Sequence, residues 1–238
     1  MTAAPLAEPL LADGAAPAPS GCVLWQWVFY INVFMACISF SIVMPSLFLY
    51  LQEMGASASF YALVVASYSV GEAVGSLSLG AVSNRLGARR TLQLTALTSL
   101  VGSVSYSVAD TLAGVADNGF VGPCTVLLGR FLQGVGSGGQ QAVEQSYLSV
   151  AAAPEQRTEL TSKLATFATL GFIFGPALGA AVSPIPYFAL GPLRFTTFTM
   201  QGWVVALLNI SMYLSTTFLF AEVRRKGSEE LLAQLVLG

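Results

Sequence analysis

Histidine is absent from all 238 residues, and Asp, Glu, Lys and Arg together supply only 9% of the chain. The missing imidazole removes the side chain most used for proton transfer near neutral pH and for binding transition metals. No nucleophile–base constellation and no Walker-type phosphate loop occurs. The three cysteines, Cys22, Cys37 and Cys124, are too few and too scattered for a disulfide framework or a metal site, and Cys37 and Cys124 read as small apolar packers. A soluble enzyme therefore finds no support, and neither cofactor nor metal is expected. No basic face suited to nucleic acid appears either. Residues 1–21 hold no Lys or Arg, so they lack the charged head of a secretory signal peptide. Rich in Ala and Pro, residues 1–22 read as a disordered cytosolic tail.

What the chain has instead is apolar length, with 55% hydrophobic residues. A soluble domain usually carries about a quarter charged residues. Crossing a bilayer takes about 20 predominantly apolar residues. Six segments qualify, near Val23–Leu51, Ser59–Val82, Thr91–Ala109, Phe120–Val150, Leu160–Ser183 and Thr199–Ala221. They lack the ten-residue alternation of a membrane barrel. The expected domain is an all-α membrane unit over residues 23–222, followed by the start of a cytosolic linker at 223–238. Leu231, Leu232, Leu235 and Val236 would put an apolar stripe on a short linker helix.

With the N-terminus in the cytosol, eight of the ten basic residues fall on that side: Arg85, Arg89, Arg90, Arg157, Lys163, Arg224, Arg225 and Lys226. Arg194 falls outside and Arg130 within the membrane. This asymmetry predicts a multi-pass protein with both termini cytosolic. The last outer loop, Pro184–Phe198, should be stiffened by Pro184, Pro186 and Pro192. Asn209-Ile210-Ser211 matches a glycosylation pattern but lies inside the sixth span, beyond reach of that machinery, and reads as chance.

Arg130 is the sharpest functional signal. A guanidinium near mid-membrane faces a partner, a cavity or a solute, or else snorkels to the outer interface. Gly134 and Gly138 follow on nearly the same face and would let another helix approach. Glu72 lies mid-span between Gly71 and Gly75, as a proton carrier, a counter-charge to Arg130, or a structural polar site. Glu144 is about four turns beyond Arg130, either on the pathway or as a solvated charge at the helix end. Gln140, Gln141, Asn32, Ser39 and Ser41 could meet a polar solute or hold helices together. Gly175-Pro176 should break the fifth span, with Gly171, Gly175 and Gly179 on one face. Gly80 and Gly87 should turn the chain tightly around Asn84 and Arg85, leaving Arg85, Arg89 and Arg90 to hold lipid headgroups or the carbonyl ends of helices.

These residues resemble the major facilitator superfamily. Gly80, Asn84, Arg85, Gly87 and Arg89 fit its Gly-x-Leu-Ala-Asp-Arg-x-Gly-Arg-Lys loop, with Asn84 in place of the aspartate and Ala88 in place of a basic residue. Arg130, Gln133, Gly134 and Gly136 fit its Arg-x-x-Gln-Gly-x-Gly, and Gly171, Gly175, Pro176 and Gly179 its Gly-x-x-x-Gly-Pro-x-x-Gly. Within the superfamily, residues 65–71, 83–84, 155–158 and 170–173 resemble the lysosomal domain-containing protein 8 branch. So does Glu8-Pro9-Leu10-Leu11, although Leu6 stands where that branch's sorting tail has an acidic residue. A vacuolar phosphate-transporting branch shares part of the pattern.

The resemblance implies six helices forming one half of a twelve-span fold, itself a three-plus-three inverted repeat. It implies a secondary transporter moving a small solute by alternating access, with an anion and coupled protons among the candidates and an endolysosomal or vacuolar membrane as the setting. Expected partners are membrane lipid, the solute, and either a missing C-terminal half or a second half-length subunit. The alternative is a non-transporting scaffold, a channel-like pore, or a half-length subunit that binds a partner.

Overall fold

In hydrocarbon every backbone amide must find its partner within the chain, so long apolar runs fold as helices. The computed structural model describes residues 23–115, 119–152, 154–184, 187–191 and 193–220. The N-terminal tail with its Glu8–Leu11 motif, the cluster Arg224, Arg225 and Lys226, the linker, Pro186 and Pro192 lie outside the described residues. The elements are α1 (Val23–Ser41), α2 (Met44–Glu53), α3 (Ala58–Leu86), α4 (Ala88–Val115), α5 (Val121–Ala151), α6 (Pro154–Val182), β1 (Phe188–Leu190), β2 (Leu193–Phe195) and α7 (Thr197–Phe218).

The six apolar segments thus become six passes, the first made of α1 and α2 together. Four passes are long and apolar enough to cross a membrane on composition alone: the first, α3, α4 and α6. The other two, α5 and α7, are 31 and 22 residues long but dilute their apolar residues with Gly, Gln, Asn and Ser. Those polar groups are largely buried against neighbouring helices, as Gln133, Gln140 and Asn209 illustrate.

Three local expectations are corrected. The first pass is broken after Ser41, because Pro45 sits in the first turn of α2, where a missing N–H costs nothing. The fifth pass, in contrast, runs helical straight through Pro176. A proline removes one helical hydrogen bond, here to the Phe172 carbonyl, without having to end the helix. The Gly/Arg patch is not a loop: α3 continues through Gly80, Asn84 and Arg85 to Leu86, and the chain reverses at Gly87 alone.

Gly87 has φ +83° and ψ 163°, a conformation essentially restricted to glycine. Gly87→Ala is therefore expected to cost about 1–3 kcal/mol, read as a lower unfolding midpoint in detergent. An unchanged midpoint would show that the α3–α4 turn relaxes freely.

The loop between α6 and α7 holds a small antiparallel hairpin, with Phe188 opposite Phe195 and their rings stacked at 4.6 Å. Gly191 sits at its tip with φ +62°. The hairpin is tied to α4 where the Arg194 amide donates to Thr111 Oγ1 at 3.1 Å. Thr196 and Thr199 then form a reciprocal capping box that starts α7.

Helix α5 packs against α3 on one side and α4 on the other, α6 lies along α1, and α7 lies against α4 and α1. Exchanging the first three passes for the last three maps the α3–α5 contact onto the α1–α6 contact, as a three-plus-three repeat would. Both contacts are built on glycine: Gly71 and Gly75 with Gly134 and Gly138 in one, and Gly171, Gly175 and Gly179 in the other. Two apolar clusters close the ends of the bundle. One gathers Trp25, Phe29, Leu92, Leu148, Leu160 and Phe220; the other gathers Ile42, Leu47, Tyr50, Val64, Tyr106 and Val205.

Candidate functional site

The polar residues lie between these apolar ends. Arg130, on α5, is fully buried at 0% exposure. Its Nη1 donates to Gln133 Oε1 at 2.9 Å, one turn along the same helix, and its Nη2 approaches Met44 Sδ at 3.6 Å. The guanidinium carbon stands 4.6 Å from the Tyr68 ring centre and 5.4 Å from that of Phe40. Faces of aromatic rings attract a desolvated cation, and this takes the place of a carboxylate partner. The snorkelling alternative is thereby removed. So is a direct ion pair with Glu72: among the described residues, the ion pair is Lys163–Glu159 at 2.7 Å.

Beside the Tyr68 and Phe40 rings lies a cavity of about 210 Å³, walled by α1, α3, α5 and α6. Two carboxylates line it. The Ser137 hydroxyl donates to Glu72 Oε1 at 3.2 Å, and Gln140 Nε2 donates to Glu144 Oε1 at 2.9 Å. Gln141, Cys37 and Phe172 complete much of the wall. Arg130 does not line it. Glu144 is only 3% exposed, which overturns the reading of a solvated charge at the helix end. It lines the same cavity as Val33, Ala36 and Cys37 of α1 and Phe172 of α6, so it sits among helices and not in water at a helix end.

The predicted site residues therefore separate. The cavity gathers Glu72, Gln140, Gln141 and Glu144. Asn32 leaves the group: it turns to α7, donating to Thr216 Oγ1 at 3.2 Å and accepting from Ser215 at 2.8 Å. Ser41 likewise joins helices, donating to the Cys37 carbonyl at 2.7 Å and the Gly171 carbonyl at 3.3 Å. At the end where α3 meets α4, Arg89 donates to the Thr217 carbonyl in the last turn of α7, the kind of helix-end contact expected of that arginine. Asn84, Arg85 and Arg90 are exposed there, and Gly80 faces Ala142, whose methyl a β-carbon at Gly80 would meet in ordinary contact. Gly134, Gly171, Gly175 and Gly179 all lie at helix contacts.

Sequence reasoning missed Tyr68, Phe40, Ser137 and the role of Gln133. A signal was available for Tyr68, which precedes Glu72 by four residues and so shares its helix face. None marked Phe40 among fifteen phenylalanines.

Comparison with known proteins agrees with this architecture. The sequence profile of the Major Facilitator Superfamily matches residues 29–230. Major facilitator superfamily domain-containing protein 8 from Xenopus laevis is 32% identical over 203 residues, covering 83% of this chain and 38% of the relative. Quinolone resistance protein NorA from Staphylococcus aureus is 23% identical over 179 residues, covering 74% and 43%. The inward-open xylose transporter XylE from E. coli superposes with a TM-score of 0.66 at 16% identity, over 88% of this chain and 51% of that one. The human organic anion transporter MFSD10 gives 0.60 at 18%, over 84% and 47%. The chain thus spans less than half the length of the two sequence relatives and about half that of the two solved structures.

Proposed function

Because the chain belongs to the Major Facilitator Superfamily, we propose that its six passes form one wall of an alternating-access pathway and that the 210 Å³ cavity is where this wall meets a small solute. The observation that carries the reading is the gathering of Glu72, Gln140, Gln141 and Glu144 around one cavity between two apolar ends. Polar groups in the depth of a membrane are costly and mark ion or solute paths. Glu72 and Glu144 are the groups proposed to exchange protons or meet the solute. Arg130 is proposed to act behind them, holding Tyr68, Phe40 and Gln133 in place. An anionic solute loses its main support, since the guanidinium is covered by those rings.

Apolar residues of α3 and α6 next to the lining residues Ser69 and Phe172 are exposed, among them Val70, Val74, Ile173 and Phe174. We propose that a second six-helix unit, a C-terminal half or another copy, closes the pathway there. Gly171, Gly175 and Gly179 would let α6 slide on α1 as the halves rock. The basic residues at the α3–α4 end are proposed to face the cytosol, and the resemblance of residues 65–71 and 170–173 to the lysosomal branch makes the endolysosomal membrane the first place to look.

The test uses Cys37, which lines the cavity. With Cys22 and Cys124 changed to serine, it becomes the single thiol in proteoliposomes of known sidedness. A carrier predicts that a membrane-impermeant thiosulfonate reaches Cys37 from either face, slowly, with no ionic conductance across planar bilayers. Large unitary conductance would favour a channel. Modification from one face only, without exchange, would favour a scaffold.

A further inference from the structure

The charge and shape of the cavity select among solutes. Among the described residues its lining carries two carboxylates and no lysine or arginine, and its aromatic wall is Phe40, Tyr68 and Phe172. Each carboxylate has a single neutral partner, Ser137 for Glu72 and Gln140 for Glu144. Among the described residues the guanidinium closest to the cavity, that of Arg130, lies against the Tyr68 and Phe40 rings and outside the lining, although its charge still acts on Glu72. A second observation comes from the adjoining chamber of about 20 Å³, which shares Phe40, Tyr68, Ser137 and Gln140 with the cavity and is lined by Gln133. Gln133 is 5% exposed, and its Nε2 has no partner. Its orientation is fixed, because Arg130 takes the carbonyl oxygen at 2.9 Å and leaves the amide nitrogen turned away. A chamber of this size admits about one water or one oxygen atom.

Resting on the reading of this cavity as a solute site, we propose that it takes an organic cation: an ammonium group against Glu72 and Glu144, an apolar body against the rings, and a carbonyl or ether oxygen reaching the Gln133 amide. Carboxylates supply the charge complement. Aromatic faces accept a quaternary ammonium without demanding hydrogen bonds from it. An unpaired buried donor rewards the ligand that satisfies it, and this discriminates against analogues lacking the oxygen.

The single-thiol chain in phosphatidylcholine nanodiscs tests this. The rate of Cys37 modification by a trimethylammonium-bearing thiosulfonate is compared with that by a sulfonate-bearing one, each normalised to a free thiol. The normalised ratio should exceed about tenfold and fall towards one in Glu72→Gln with Glu144→Gln. Should that double variant not fold, the ratio on the parent chain decides alone. Benzoylcholine should slow modification and benzoate should not. Gln133→Leu should weaken protection by benzoylcholine but not by phenylpropyltrimethylammonium, which lacks the oxygen. A ratio at or below one, or protection by benzoate, overturns the cation and leaves the carrier standing. A Cys37 that reacts with neither reagent overturns both.

Discussion

Arg130→Ala is expected to destabilise the domain by about 3 kcal/mol or more, because three losses coincide. The adjacent Tyr68 and Phe40 rings lose the cation they both meet, worth up to about 2 kcal/mol for a desolvated contact. Gln133, whose Nε2 is already without a partner, loses the donor to its carbonyl oxygen as well. The space of the largest fully buried side chain is left to be filled or collapsed. Arg130→Lys should recover only part of this, since an ammonium has no planar fork to grip Gln133 and lie along the rings. Arg130→Met keeps volume and drops charge, so it separates packing from electrostatics. Unfolding midpoints in one detergent, ordered parent, Lys, Met, Ala, would support this account. An alanine variant that unfolds with the parent would end it, and would return Arg130 to the candidates for direct solute contact.

The same environment explains what the sequence could and could not convey. Six passes were legible because hydrocarbon demands length and apolarity, and both are local properties of the chain. The break after Ser41 was also local, signalled by Pro45, but it sat inside an unbroken apolar run from Val23 to Leu51 and was hidden by it. Pro176 misled in the opposite direction, because α6 can forgo one hydrogen bond without ending. Arg130 and Glu72 stood out as costly charges, whereas Glu144 read as readily as a solvated charge at a helix end. Most of their partners did not stand out, since Phe40, Tyr68 and Ser137 are ordinary residues that acquire meaning only from the α1–α3–α5 packing. Asn32 shows the limit most clearly. Its helix and depth were legible, but which neighbour it faces, α7 rather than the cavity, depends on helix rotation, which apolar segments do not encode.

The glycines of the α3–α5 crossing carry the second large expected effect. A β-carbon at Gly134 would run into the Tyr68 carbonyl oxygen and stand 3.1 Å from the Glu72 amide nitrogen; one at Gly138 would run into the Glu72 carbonyl oxygen, 2.7 Å from its Cα. The obstacle is backbone in both cases, so no rotamer change relieves it and the helices must separate. Gly134→Val or Gly138→Val should therefore cost more than the about 1–3 kcal/mol of an ordinary overpacked core, seen as loss of monodisperse protein on gel filtration. Gly138→Ala, the milder change, should leave folded protein in which Glu72 is displaced. Its charge preference at Cys37 should then fall even though both carboxylates remain. Gly80, on the facing helix α3, is the internal control. A β-carbon there meets only the Ala142 methyl at 3.4 Å, an ordinary contact. Gly80→Ala should be neutral or stabilising by up to about 1 kcal/mol, the helix-propensity difference. If Gly80→Ala and Gly138→Ala shift the unfolding midpoint alike, glycine matters here for something other than how closely two helices approach, and the position of Glu72 against the cavity must be set by other contacts.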